Sequence, residues 1–164
     1  MKEHYRTFAG YNAWANRRLY NAAASLSDAD YRADRGAFFK SMHGTLNHLL
    51  VTDLVWLKRL SGEGEAPDRL DAVLHETFGP LRAAREAEDR RIVAWVQGLD
   101  EEKLRGTISY RRVSTPEEFE QATMPALDHW FNHQTHHRGH AHMILTSLGR
   151  PAPELDLLFF QREA

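Results

Sequence analysis

The sequence has 164 residues, a length that suits one domain with a core large enough to need neither disulfides nor a structural metal to staple it. Its 21 Lys and Arg against 23 Asp and Glu give a formal charge of −2, which excludes the broad cationic field needed to neutralise many phosphates. Cysteine is absent, so disulfides, thiolate ligands and a cysteine nucleophile are excluded, and any metal must be held through nitrogen and oxygen.

The opening MKEHYRTFAGYNAW has no long apolar segment, and no stretch approaches the roughly 20 apolar residues of a membrane span. A soluble cytoplasmic protein with no membrane and no nucleic-acid partner is the expectation, organised as a single domain over 1–164. Phe8, Tyr11, Ala15, Leu19, Ala22 and Leu26 recur at spacings of three and four, predicting a first helix from about Lys2 to Ser25. Ser27, Asp28, Ala29 and Asp30 read as a turn or a short capped helix, with Gly36 marking irregular chain after it. From Phe39 to Leu60 the sequence is apolar nearly all round, predicting a second helix buried on most of its surface and ended by SGEGEAPD.

Between about Asp71 and Leu99, the positions Leu74, Phe78, Leu81, Arg85, Glu88, Ile92, Trp95 and Leu99 alternate steps of three and four, predicting a third helix. Its two charged members read as an i,i+3 salt pair on the rim of the core, with a place in a pocket lining as the alternative. Thr107, Ile108, Ser109, Tyr110 and Val113 are β-branched or aromatic for the most part and predict a short hairpin or an extended connection. A fourth helix starts at Pro125 and stops at Gly149, with Pro151 just beyond. The fold class is all-α, a four-helix bundle.

Six of the ten histidines, His129, His133, His136, His137, His140 and His142, lie within that last helix. At about 100° per residue, His133 and His137 fall inside the arc of Trp130, Ile144, Ala141 and Leu148, His136 and His140 fall toward its edge, and His142 points away. Two imidazoles at i and i+4 on an inward face can aim nitrogens at one point, as helix-borne zinc sites do. Unpartnered buried imidazoles would each cost roughly 1–3 kcal/mol, so a metal or a hydrogen-bond network must satisfy them. The second helix offers His48, with His43 as competitor, for a third ligand. Helix-wheel angles do not separate the two.

Three stretches, YNAWANRRLYNAAASLSDADY, SMHGTLNHLLVTDLVWLKRLSG and HWFNHQTHHRGHAHMILTSLGR, resemble the DinB/YfiT-like family of helical bundles regarded as metal-dependent enzymes. The resemblance is weakest between Gly62 and Gln121. It implies an up-down-down-up bundle and a metal held by three histidines, which carry over to His48 in NHLLVTD and to His133 and His137 in NHQTHHRGH. His140 departs from the pattern, since relatives often carry glutamine there, and leaves open an extra polar group or ligand. The family includes thiol-dependent S-transferases and isomerases and many members described as hydrolases, so the resemblance implies a small-molecule substrate, a homodimer and a link to stress responses.

Three neutral imidazoles leave a metal with an open position, where a water's pKa falls from 15.7 toward about 7 and a thiol is deprotonated. The expected activity is therefore activation of a thiol or water for attack on a small electrophile, of thiol S-transferase or hydrolase type. Zinc suits such a site first and nickel next, while iron and manganese also bind imidazole. Asn47, Asp53, Asn132 and Arg138 are nearby enough in sequence to orient the ligands, and ordinary solvated or capping roles are the alternative. Trp14, Trp56, Trp95 and Trp130 read as core before pocket. The competing functions are a non-catalytic metal-binding stress-response bundle and a structural protein with no metal.

Overall fold

The computed structural model describes residues 1–115 and 117–163. Its four long helices are α1 (Lys2–Ala23), α3 (Met42–Ser61), α4 (Phe78–Gln97) and α6 (Thr123–Ser147). Between them lie the short helices α2 (Asp28–Arg32) and α5 (Glu101–Arg105) and the strands β1 (Thr107–Arg111) and β2 (Glu118–Ala122), and α7 (Leu157–Glu163) follows α6. The strands form an antiparallel hairpin whose register runs from Thr107 opposite Ala122 to Arg111 opposite Glu118. No helix among the described residues is long and apolar enough to cross a membrane.

The direction of each helix follows from which apolar residues share a cluster. One cluster joins Tyr5 and Ala9 early in α1, Leu57 and Leu60 late in α3, Ile92 and Val96 late in α4, and Leu127 and Trp130 early in α6. The other joins the opposite ends: Leu19 and Ala23 of α1, Leu46 and Leu49 of α3, Leu81 of α4, and Ile144 and Leu145 of α6. Hence α3 and α4 run together and antiparallel to α1 and α6. Packing α1 against α4 and α6, and α3 against α4 and α6, closes the bundle in the up-down-down-up order. The 62–77 connection has to return along the bundle before α4 can run parallel to α3, which is why it is long.

Local chemistry sets the boundaries. Ser41 starts α3 by accepting from the Gly44 amide, and Gly62 ends it in the left-handed conformation (φ 78°). α4 begins at Phe78 and not near Asp71, because proline is tolerated only in a helix's first turn and Pro80 would otherwise sit in the interior. Leu74 accordingly lies in the preceding connection. Two short helices escape the periodicity reading. Asp100 caps α5 through the Lys103 amide, and α7 is held on α1 by Phe160 against Tyr11 and Trp14 and by the Trp14 indole donating to Glu163 at 2.8 Å.

Arg85 and Glu88 do not pair with each other. Arg85 lies buried in the bundle interior, 2.7 Å from Asp53 and 3.0 Å from Asp89, whereas Glu88 meets Arg91. The i,i+3 spacing was compatible with a pair, but Arg85 points across to α3, where the fully buried Asp53 needs a counter-charge.

Candidate metal centre

His48, on the flank of α3 that faces α6, is held before any ligand arrives. Its Nδ1 lies 2.7 Å from the Leu70 carbonyl, which can only accept, so Nδ1 carries the proton and the Nε2 lone pair is free. The connection that carries Leu70 is tied to α3 four and five residues further on, by Asn47. The Asn47 Oδ1 accepts from the amides of Leu74 and His75 at 2.8 and 3.1 Å, and its Nδ2 donates to the carbonyls of His43 and His75. On its other side His48 stacks on Phe39, ring centroids 3.7 Å apart. That contact needs the Phe39 turn pressed onto α3 at Gly44, where a Cβ would lie 2.3 Å from the Phe39 carbonyl oxygen.

Across from His48, α6 presents His133 and His137 one turn apart, with ring centroids 4.4 Å from each other. His137 is 4.4 Å and His133 5.4 Å from the His48 ring, and each of the three offers a nitrogen within 4.8 Å of the other two. A metal with bonds to nitrogen of about 2.0–2.1 Å draws its ligand atoms somewhat closer than this, a change that small side-chain rotations supply. The Nε2 of His48 and the Nδ1 atoms of His133 and His137 are buried without a hydrogen-bond partner. Three clustered imidazoles, each with an unpartnered ring nitrogen, fit a divalent ion. No carboxylate or fourth imidazole joins this group among the described residues, and the histidines face a cleft of about 550 Å³ whose far walls include Phe38, Arg69 and Val113.

Of the two histidines on α3, only His48 belongs to this group. His43 donates from Nε2 to the His75 carbonyl at 3.1 Å and sits against Tyr31. A second, overlapping trio consists of His136, His137 and His140, the first of them exposed. His140 thus adjoins the site through His137, at a ring distance of 5.1 Å.

Burial lowers the pKa of His48 to about 4, only partly offset by the bond to Leu70. Burial, then the neighbouring imidazoles, lowers His133 to about 4 and His137 to about 3. All three are neutral at pH 7, the form a metal requires. In the unfolded chain they protonate near 6.5, so the stability they contribute is present above pH 6.5 and is lost as the pH falls toward about 4. Urea unfolding of metal-free protein should show lower stability at pH 5 than at pH 7, and the difference should shrink in His133→Ala, whereas an unchanged pH dependence in that variant would mean the imidazole is solvated.

The DinB family model matches residues 1–164. This chain belongs to the DinB family. Protein DinB from Bacillus subtilis (strain 168) is 26% identical over 155 residues, spanning 89% of this chain and 87% of that protein. Among solved structures, the chain is similar to YfiT from Bacillus subtilis, described as a probable metal-dependent hydrolase with an unusual four-helix bundle topology. The TM-score is 0.67 at 14% identity, over 91% of this chain and 90% of that one, a likeness in fold.

Around the histidines of this DinB-family chain, the expected supporting residues divide. Asn47 orients His48 through the 62–77 connection, as described. Asp53 and Arg138 are buried among polar side chains away from the cleft: Asp53 meets Arg85 and the Trp130 indole, and Arg138 donates to Asn12 and, at 3.2 Å, to Thr135. Asn132 is exposed and borders a different depression, beside α7. Periodicity missed Gln134, which anchors α6 to α3 next to the site by donating to the Leu49 carbonyl and to Thr52 at 3.2 and 2.8 Å. Of the tryptophans, Trp130 is core, Trp14 seats α7, Trp95 packs on the core, and Trp56 lines a second cleft beside the histidines.

Proposed function

We propose that this protein is a divalent-metal-dependent enzyme in which His48, His133 and His137 hold one ion at the floor of an open cleft. The observation that carries the reading is the grouping of three imidazoles, each offering a nitrogen within 4.8 Å of the other two, with no fourth protein ligand in the group among the described residues. A bound ion would supply Lewis-acid activation of a water or a thiol at neutral pH. The chain's own residues do the rest. The Leu70 carbonyl fixes the tautomer and aim of His48, Phe39 keeps one face of that imidazole dry, and the 550 Å³ cleft admits a small electrophile together with its nucleophile. Three nitrogen ligands and no thiolate suit zinc first and nickel next.

Hydrolysis and thiol S-transfer both use an activated nucleophile at such a position, so the test must address both. Protein purified without a histidine tag and loaded with zinc or nickel should carry about one ion per chain and turn over activated esters, or alkyl halides in the presence of small thiols. Stoichiometric metal with no turnover in either screen, and with no exchangeable water on the ion, would instead mark a non-catalytic metal-binding bundle. Asn47→Ala leaves all three imidazoles in place but frees the segment that presents the Leu70 carbonyl. It should lower metal affinity about 10- to 100-fold, as other losses of outer partners do, and competition with a chromogenic chelator would measure it.

A further inference from the structure

Beside the histidine cleft, sharing His133, Leu70, Val113 and Ser114 with it, lies a second cleft of about 420 Å³ under the hairpin. Its walls are Trp56 and Arg59 from the last turns of α3, Tyr110 and Phe119 from the two strands, and Arg112 from the hairpin loop. Arg59 is half-buried and clamped between aromatic rings, its guanidinium carbon 4.7 Å from the Trp56 ring centre and 4.2 Å from that of Tyr110. Among the described residues no carboxylate lies within ion-pair distance of it, and its hydrogen bond is a long one, 3.4 Å, to the Arg111 carbonyl. Arg112 faces the same space, and its nearest carboxylate, Glu117, is 4.0 Å away.

Two guanidinium groups lining one cleft repel each other. Burial, opposed by Tyr110 and aided less strongly by the charge of Arg112, pulls the Arg59 pKa below its ordinary value. The same field reaches His129, whose pKa is lowered by its burial and by Arg59. An arginine held rigid over aromatic faces, poorly solvated and without an internal counter-charge, is a receptor for a planar anion, because the fork of donors loses little freedom when a carboxylate arrives. The anion would sit one side chain away from His133, with the rest of its molecule directed along the shared wall toward the three histidines.

We propose that this second cleft is the subsite for the carboxylate end of the substrate, with Arg59 as its partner, so that the enzyme acts on small organic carboxylates. The assignment deepens the metal-enzyme reading and rests on it for the meaning of "substrate", but the anion site itself needs no metal.

The test uses benzoate and its neutral isostere benzamide as probes, followed by protein-observed NMR on the zinc-loaded chain. Benzoate should perturb the Trp56 indole and bind at least about tenfold more tightly than benzamide. Arg59→Gln should remove that preference, and Arg59→Lys should restore part of it through its charge. His48→Ala, stripped of the ion, should still bind benzoate within about threefold of the native affinity. Equal binding of the two probes, an unchanged benzoate affinity in Arg59→Gln, or benzoate binding that vanishes with the metal would each overturn the subsite, the last by placing the carboxylate on the ion. Metal content measured on the same samples reports on the histidines alone, so a failure of the metal reading is seen separately.

Discussion

Alanine at His48, His133 or His137, introduced singly, is expected to empty the metal centre, with elemental analysis of untagged protein falling from about one ion per chain to background. Each substitution removes one of three donors, so the loss of affinity should exceed the 10- to 100-fold that accompanies loss of an outer partner. The three variants differ in what else they disturb. His48→Ala also leaves the Leu70 carbonyl without its donor, although that segment keeps its bonds to Asn47. His137→Ala touches both histidine trios, whereas His133→Ala touches the inner one alone. His43→Ala, five residues earlier on α3 and turned toward His75, should retain the ion. The pattern across variants therefore locates the metal. Loss in His136→Ala and His140→Ala with retention in His48→Ala would put the ion on the outer trio and sink the assignment. Retention in all three inner variants would remove the functional reading with it.

Much of this arrangement was legible in the sequence because it depends on helical periodicity. His133 and His137 sit one turn apart on a face marked by Trp130, Ala141 and Ile144, and that face does point inward. Choosing between His48 and His43 was beyond periodicity, because α3 is buried on nearly every side and both imidazoles are covered. What distinguishes the two in the fold is a non-local segment, 62–77, which takes the Nδ1 proton of one histidine at Leu70 and the Nε2 proton of the other at His75. The resemblance to a known family pointed to His48; the spacing did not. The start of α4 was legible from Pro80 and was missed because the steps of three and four continue upstream through Leu74. Of the two partners of Arg85, Asp89 at i,i+4 was visible in sequence but was passed over for Glu88, and Asp53 on a parallel helix was not visible. The cationic cleft escaped for the same reason: Arg59 and Tyr110 meet only after the hairpin folds over α3.

Breaking the buried ion pair should have the largest effect on stability. Asp53 is fully buried, accepts from the Trp130 indole at 2.6 Å and lies 2.7 Å from Arg85, which is itself buried and also 3.0 Å from Asp89. Burial opposes the guanidinium charge, but Asp89 and Asp53 outweigh it and hold the Arg85 pKa above its ordinary value, so Arg85 stays charged in the core. Arg85→Met would leave Asp53 as an uncompensated buried charge and should destabilise the protein by about 3–5 kcal/mol in urea unfolding at pH 7, a large part of the usual stability of a domain. Asp53→Asn should be milder, because an amide oxygen can still accept from Trp130 and Asp89 still faces Arg85. The double variant should then be less unstable than the sum of the two, with a coupling of about 1–3 kcal/mol, since removing Arg85 takes away the reason to keep Asp53 charged. Additive losses would show that the pair is not what holds these helices. The same pair bears on the proposed metal centre: Asp53 is five residues beyond His48 on α3, and Trp130 is three before His133 on α6, so their bond fixes the spacing of the two helices that carry the three histidines. Asp53→Ala, which loses that bond while leaving every imidazole in place, should therefore weaken metal binding as well as the fold. Asp53→Asn should retain most of the affinity, and the difference between the two separates the role of the hydrogen bond from that of the charge.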